Sequence, residues 1–103
     1  MHIEKIELQN FRNYKNLELE FSKNVNLILG KNAQGKTNLL EAVYLTAIGR
    51  SFRTSKDIDL VKFNENNAIV KVWAEKELNN TTVEISIKRK GEKSSEKFIK
   101  KDR

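Results

Sequence analysis

The sequence predicts an α+β fold in which a mostly antiparallel β-meander packs beside one strand–loop–helix unit. Both ends of the chain contain short stretches with an apolar residue at every second position, which is typical of half-buried strands. Between them, a nearly continuous apolar run at 24–30 (NVNLILG) leads through a small polar loop into a segment with helical spacing. With 103 residues, the chain has the length of one modest domain with a single core.

The first half of the chain supplies two strands, the apolar run and the helix. Ile6 and Leu8, together with Ile3, predict the first strand, and a turn at 10–16 (NFRNYKN) follows. The second strand alternates apolar with acidic residues over 17–21. The helix is predicted from Lys36 to about Ile48, where Gly49 is a natural stop. Its apolar residues form one broad face: Leu39, Leu40, Val43, Tyr44, Ala47 and Ile48.

The second half reads as an antiparallel meander. A polar loop at 50–57 and an ambiguous stretch at 58–63 precede a turn at 64–67. Alternation over 68–75 predicts a strand, residues 77–82 a turn, and residues 83–88 another strand. A hairpin loop around Gly91 then leads to a last strand near 97–100.

The composition limits the class of protein. No apolar run approaches the roughly 20 residues that span a bilayer, and the N-terminus lacks the apolar block of a secretory signal. The absence of cysteine excludes disulfides and thiolate zinc sites, and we expect a cytoplasmic protein. Of the net charge of +6, +5 falls within residues 88–103. This basic tail is either a solvated strand pair or a nucleic-acid contact.

The loop before the helix matches the phosphate-binding pattern G-x-x-x-x-G-K-[ST]. Gly30 permits a sharp turn off the strand, and Gly35 lets phosphate oxygens approach the main chain. The amides of residues 33–37 are predicted to form an anion-binding nest at the helix N-terminus. Lys36 would contact the β- and γ-phosphates, and Thr37 would offer its hydroxyl to Mg²⁺.

No acidic residue in the chain has the setting that a P-loop hydrolase requires, which is the end of a buried strand beside the loop. The nearest such residue is Glu75. It follows VWA in a predicted strand whose residues alternate between solvent-exposed and buried positions. We therefore expect the chain to bind phosphates but not to hydrolyse them alone.

These residues resemble the RecF family, bacterial recombinational repair ATPases related to the SMC and ABC-type ATPases. The resemblance lies in segments 8–21 (LQNFRNYKNLELEF), 30–54 (GKNAQGKTNLLEAVYLTAIGRSFRT) and 57–63 (DIDLVKF). It is good over residues 1–75 and continues beyond them only as a pattern of charged strands.

The resemblance implies a P-loop ATPase lobe: residues 1–103 would form the N-terminal ATP-binding lobe (lobe I) of an ABC/SMC-type head. That head would be incomplete, because its Walker B acid, signature motif, helical subdomain and switch histidine would follow residue 103. ATP and Mg²⁺ would be sandwiched in a head-to-tail homodimer with slow hydrolysis. The family role would be to bind double-stranded DNA at gaps under ATP control and, with RecR and RecO, to help load RecA during DNA damage repair and the SOS response.

The same resemblance places Arg12 beside the nucleotide. The other cofactor-binding residues that it implies are consecutive: Gly30, Lys31, Asn32, Ala33, Gln34, Gly35, Lys36, Thr37 and Asn38.

Alternatives remain open at four side chains. Arg12 could be a turn residue with a solvated guanidinium. Arg53 could be a surface residue or a contact to phosphate or DNA. Trp73 is either partly covered by protein or a stacking surface for a base. His2 is a solvated terminal side chain rather than a catalyst.

Two other functions compete with a RecF-like lobe. The first is a basic, β-rich nucleic-acid-binding module that does not depend on nucleotide, which the basic tail favours. The second is a small P-loop kinase, which would need lid arginines in a helical insertion that the sequence does not show.

Overall fold

Five antiparallel strands form one sheet in the order β2-β1-β3-β4-β5. The computed structural model describes residues 2–21, 33–76 and 79–102. The strands are β1 (His2–Phe11), β2 (Tyr14–Glu20), β3 (Asn67–Lys76), β4 (Asn79–Arg89) and β5 (Ser95–Asp102). One helix, α1 (Ala33–Ile48), and a 3₁₀ turn at Asp57–Leu60 complete the described elements. The predicted α+β fold with an antiparallel sheet is confirmed, while the predicted strand at 24–30 lies outside the described residues.

A β-bulge in β1 adjusts its alternation to the core. Glu4 has no opposite residue in β3, and its carbonyl accepts a hydrogen bond from the N–H of Phe21 instead (2.9 Å). The extra residue shifts the alternation by one position. Ile3 therefore packs against the same core as Ile6 and Leu8.

The core lies between α1 and one face of the sheet. Its side chains come from α1, from the three central strands β1, β3 and β4, and from the last residue of the 3₁₀ turn and the residue after it. They are Ile6, Leu8, Phe11, Leu39, Ala42, Leu45, Leu60, Val61, Ala68, Val70, Val72, Ile85 and Ile87. The apolar positions predicted for β3 all belong to the buried face.

The side of α1 that is buried differs from the prediction. The sequence predicts one broad apolar face over residues 39–48, but only part of it reaches the sheet. Leu39 is buried and Val43 packs against the core, whereas Leu40 is 52% exposed and Ile48 is 54% exposed. Ala42 and Leu45, which the predicted face did not include, are fully buried. Apolar residues surround more than one side of this helix, so the sequence pattern could not select the side that the sheet covers.

Three boundaries also differ from the prediction. The helix begins at Ala33, three residues before Lys36. The β1–β2 connection consists only of Arg12 and Asn13, because both strands extend into the predicted turn. Residues 79–82 belong to β4, since Asn79 pairs with Lys76 and the ladder continues from there. In each strand, cross-strand pairing outweighs the turn propensity of asparagine.

No helix among the described residues combines the length and the apolarity needed to cross a membrane.

Candidate nucleotide-binding site

The Gly-Lys-Thr sequence lies in the first turns of α1. Gly30, Lys31 and Asn32 fall outside the described residues, whereas the backbone of residues 33–36 is helical. The first four N–H groups of a helix have no acceptor within the helix, and they point towards its N-terminal end. The helix dipole adds a positive potential there. Ala33, Gln34, Gly35 and Lys36 thus present backbone donors to an anion. Thr37 follows with a half-buried side chain.

Arg12 is held by a buried carboxylate of α1. Its Nε and Nη2 atoms donate to Oε1 and Oε2 of Glu41, both at 2.8 Å, in the paired geometry that makes arginine–carboxylate contacts strong. The Glu41 side chain is fully buried, and 21% of the Arg12 side chain is exposed. The structure thus places Arg12 against α1 at Glu41, four residues beyond Thr37, rather than in solvent.

Glu41 also binds the loop that follows the helix. Ser51 donates its hydroxyl hydrogen to Glu41 Oε2, and Arg53 Nη1 lies 3.2 Å from Glu41 Oε1. The Ser51 hydroxyl oxygen accepts the backbone N–H of Arg53 at 2.9 Å. One carboxylate therefore joins the β1–β2 turn, α1 and residues 51–53.

Hydrogen bonds and charges keep Glu41 ionised. Burial alone would raise its pKa, but hydrogen bonds from Arg12 and Ser51, with the positive charges of Arg12 and Arg53, hold the pKa below its ordinary value. The hydrogen bond to Glu41 in turn raises the pKa of Arg12. Two guanidinium groups share the Glu41 carboxylate, and the negative charge of Asp59 also acts on Arg12.

Asn38 links the same segments through its amide. Its Nδ2 donates to Asn13 Oδ1 (2.6 Å), and its Oδ1 accepts from Arg53 Nη1 (2.7 Å). Because Asn38 follows Thr37 directly and is buried, this bridge ties the phosphate-binding sequence to the β1–β2 turn. Arg53, for which the sequence supplied no role, is the third member of the bridge.

The backbone of Arg12 is strained. Its φ of 54° lies in the left-handed region that residues other than glycine rarely occupy. The N–H of Arg12 donates to the carbonyl of Leu60 (2.9 Å), which holds the β1–β2 turn against the end of the 3₁₀ turn. This contact and the pair with Glu41 fix the conformation.

A cavity of about 450 Å³ opens beside this cluster. Its charged and polar lining residues carry both signs of charge: Arg12, Asn13, Asn38, Asp59, Arg89 and Glu92. Phe63 is among the apolar residues of the lining. The volume is within the range of small-molecule sites.

The remaining predicted residues lie elsewhere. Trp73 is half-buried on the sheet face opposite α1, with the amines of Lys5 and Lys71 each 4.8 Å from its ring centroid. Glu75 alternates with the buried Ala74 and so lies on that same opposite face.

The basic tail forms the end of β4, the loop after it and all of β5. Lys97 donates to the carbonyl of Gly49 (2.7 Å) and pairs with Asp57 (3.1 Å), while Lys90 pairs with Glu96 (3.1 Å). At least these two lysines are engaged within the fold, whereas Lys100 and Lys101 are exposed on the edge strand.

A family profile described as an AAA domain matches residues 5–103. The chain belongs to this AAA domain family. It is also similar to proteins named DNA replication and repair protein RecF. It is 48% identical over 94 residues to the RecF of Clostridium tetani. This alignment covers 91% of this chain and 26% of the relative. The RecF of Ligilactobacillus salivarius is 46% identical over 103 residues, covering 100% of this chain and 27% of the relative. The resemblance to RecF is therefore confirmed, and the chain spans about a quarter of the length of these relatives.

Solved structures of RecF agree with the fold. A structure of the recombination mediator protein RecF with ATP, in the RecFOR pathway, superimposes with a TM-score of 0.83 at 43% identity, covering 98% of this chain and 26% of that one. A second RecF structure, with the ATP analogue ATPγS, gives 0.84 at 44% identity, covering 97% of this chain and 26% of that one.

Sequence reasoning missed Glu41, Ser51 and Asn13. A usable signal for Glu41 was present, since it lies four residues before Leu45 and one before Ala42, on the side of the helix that proved to be buried. An acidic residue at such a position requires a cationic partner. Nothing local in the sequence indicates which arginines supply it.

Proposed function

We propose that this chain is the ATP-binding lobe of a RecF-like DNA replication and repair protein. Residues 30–37 would hold the triphosphate, with Lys36 on the β- and γ-phosphates and the amides of residues 33–37 around them. The observation that carries the proposal is the Gly-Lys-Thr sequence in the first turns of α1, one helical turn before the carboxylate of Glu41 that holds Arg12 and Arg53. The ATP and ATPγS bound by the structural relatives support the choice of nucleotide.

Arg12 is assigned to the same site. Its guanidinium is bound edge-on to Glu41, which orients it rigidly instead of leaving it to sample rotamers. A preoriented cation loses little conformational entropy when an anion arrives. In this proposal Glu41 is a positioning residue, and Arg12 is the side chain that meets the nucleotide.

Substitution of Lys36 tests whether residues 30–37 bind the phosphates of ATP. We expect Lys36→Ala to abolish ATP binding measured by calorimetry, because the β- and γ-phosphates lose the ammonium group assigned to them. Lys88→Ala is the matched control: it removes the same charge from an exposed position of β4 and should leave ATP affinity within about twofold. Equal ATP affinity in wild type and Lys36→Ala would show that residues 30–37 are not the phosphate-binding site.

Thr37 is proposed as the Mg²⁺ ligand. A hydroxyl oxygen is the type of ligand that this hard cation takes, together with phosphate oxygens and water. In Thr37→Val we expect ATP binding with excess EDTA to match wild type, while the gain in affinity on adding Mg²⁺ is lost. An undiminished Mg²⁺ gain would remove Thr37 from the metal site.

The wider role is proposed for the full-length protein. It would form an ATP-dependent head-to-tail homodimer with slow ATP hydrolysis, bind double-stranded DNA at gaps, and act with RecR and RecO to help load RecA. The RecFOR pathway of the structural relatives supports this assignment. The test is binding of the full-length protein to gapped duplex DNA with and without ATP. ATP-independent binding that Lys36→Ala leaves unchanged would favour the basic nucleic-acid-binding module instead.

A further inference from the structure

The sheet face opposite α1 is not covered by any element among the described residues. Successive side chains of a strand point to opposite faces of the sheet, and those of Ile6 and Val70 point towards α1. Their neighbours along β1 and β3 therefore point to the uncovered face. Pairing between the strands aligns these neighbours in rows, one of which joins Glu18, Glu7 and Lys71. A whole sheet face is thus available to a partner.

The part of this face formed by β1 and β2 is acidic although the chain is basic. Its paired residues include three carboxylates, Glu7, Glu18 and Glu20, and one amine, Lys5. These positions carry a net charge of −2, whereas the whole chain carries +6. DNA and nucleotides are anionic, so the charge of this face favours a cationic protein partner over a nucleic acid.

Two carboxylates face each other directly across the β1–β2 ladder. Glu7 and Glu18 are paired in register, and their side chains are 44% and 58% exposed. Like charges directly opposite each other destabilise a sheet. Lys5 Nζ lies 3.6 Å from Glu7 Oε2 and 3.3 Å from Glu18 Oε1, so one ammonium group serves both carboxylates. A second cation, supplied by a partner, would relieve the remaining repulsion.

A cavity of about 300 Å³ lies beside this carboxylate pair. Glu7, Glu18, Gln9 and Asn16 line it with side-chain oxygen acceptors, and Ile69 adds an apolar surface. The volume is at the lower limit of small-molecule sites, which suits one inserted side chain better than a whole ligand. Arginine matches this lining, because its N–H donors can reach several oxygens while its methylene groups pack on the isoleucine.

Aromatic side chains on the same face provide anchors for a protein partner. Trp73 is the only tryptophan of the chain and lies on the central strand of the sheet. The amines of Lys5 and Lys71, each 4.8 Å from its ring centroid, restrain the ring before any partner binds. Phe98, on β5, is 54% exposed. Tryptophan and arginine are among the residue types that contribute most of the binding energy in protein interfaces.

We propose that the sheet face opposite α1 is a docking surface for a protein partner with an arginine-rich segment. One arginine of the partner enters the cavity beside Glu7 and Glu18, and the rest of the segment packs across Trp73 towards Phe98. Five strands of roughly seven residues each present roughly 500 Å². This area is below the roughly 800 Å² per partner of a stable complex, so the complex is transient and weakens with salt. The surface does not need the proposed ATP site.

Nuclear magnetic resonance with a peptide of nine arginines tests the location and the charge of this surface. At low salt, the peptide should shift the amide signals of Glu7, Glu18 and Trp73 and leave those of α1 in place. Glu18→Lys should weaken binding about 5-fold or more, because it replaces an attraction by a repulsion. The matched control is Glu65→Lys, in the turn before β3, which should stay within about twofold of wild type. Shifts confined to other residues, or equal affinity in Glu18→Lys and wild type, would overturn the proposal.

Crosslinking in cells identifies the natural partner. The photoreactive residue p-benzoylphenylalanine replaces Ser86 of the full-length protein, because Ser86 lies between Ile69 and Phe98 in one row of this face. Mass spectrometry should find crosslinks to an arginine-rich segment of another protein. Calorimetry with that purified protein should then show affinity lowered at least about 10-fold by Trp73→Ala and unchanged by Glu65→Lys. Phe98→Ala, on the edge strand, replaces Trp73→Ala if the latter fails to fold.

The remaining outcomes would each contradict the proposal. Crosslinks only to a second copy of this chain, or only to DNA, would assign the face to a different occupant. The absence of crosslinks from Ser86 would leave the face without a partner in the cell. A crosslinked protein that binds wild type, Glu18→Lys and Phe98→Ala with equal affinity would show that neither the charge nor the aromatic anchors hold it.

Discussion

The two sides of helix α1 carry similar apolar side chains but have opposite surroundings. The side facing the sheet contributes Leu39, Ala42 and Leu45 to the core and also buries the carboxylate of Glu41. The other side leaves Leu40 and Ile48 more than half exposed. The difference teaches that apolar spacing marks positions able to be buried, while burial itself is decided by where the sheet lies.

The sharpest way to test this difference is to truncate the same residue type on each side. Leu45→Ala removes a fully buried side chain and should lower the free energy of unfolding by about 2–5 kcal/mol. Leu40→Ala, five residues earlier in the same helix, should cost less than about 1 kcal/mol. Urea unfolding followed by circular dichroism measures both. Similar losses in the two variants would contradict the assignment of sides.

Substitution of Glu41, the buried carboxylate on the side of α1 that faces the sheet, should give the next largest loss in the free energy of unfolding. Glu41→Gln keeps the shape of the side chain but removes the charge that Arg12 and Arg53 share. We expect the free energy of unfolding at pH 7 to fall by about 1–3 kcal/mol, the range for a disrupted charged hydrogen bond. The control is Leu40→Gln, which introduces the same amide side chain on the outer side of the helix and should cost less.

The pH dependence of Glu41→Gln follows from the lowered pKa of Glu41. A carboxylate with a lowered pKa stabilises the folded state fully above its ordinary pKa, and that contribution disappears as pH falls through the folded value. The stability difference between wild type and Glu41→Gln should therefore be largest near pH 7 and shrink below about pH 4.5. A difference that stays constant from pH 7 to pH 2.5 would mean that the charge of Glu41 is not what stabilises the cluster.

The smallest expected effect belongs to the outer side. Replacing Ile48, at the end of α1, by glutamine should change the free energy of unfolding of this chain by no more than about 0.5 kcal/mol. The same variant in the full-length protein shows whether another segment covers this side there. A loss above about 2 kcal/mol in the chain itself would place Ile48 in the core.

Much of the fold could be predicted because, in an antiparallel sheet with one buried face, apolar and polar residues alternate along each strand. The alternation of Val70 and Val72 with Lys71 and Trp73 was sufficient to assign β3 and its buried face. The bulge at Glu4 could not be predicted, because it depends on the register with β3 and on a hydrogen bond from Phe21. The sequence of residues 30–37 predicted a phosphate site, since its glycines, lysine and threonine each meet a chemical requirement of phosphate binding.

By itself, the sequence determined the strand faces, the presence of one helix and the phosphate-binding motif, because each depends on residues close together in the chain. Only the tertiary structure decided which side of α1 is buried, that Arg12 and Arg53 converge on Glu41 across 29 and 12 residues, and that Phe63 faces the cavity beside Asn38. Those features depend on segments that meet only when α1 packs on the sheet. A buried carboxylate then accepts whichever cations the packing brings within hydrogen-bonding distance, and local sequence carries no record of that choice.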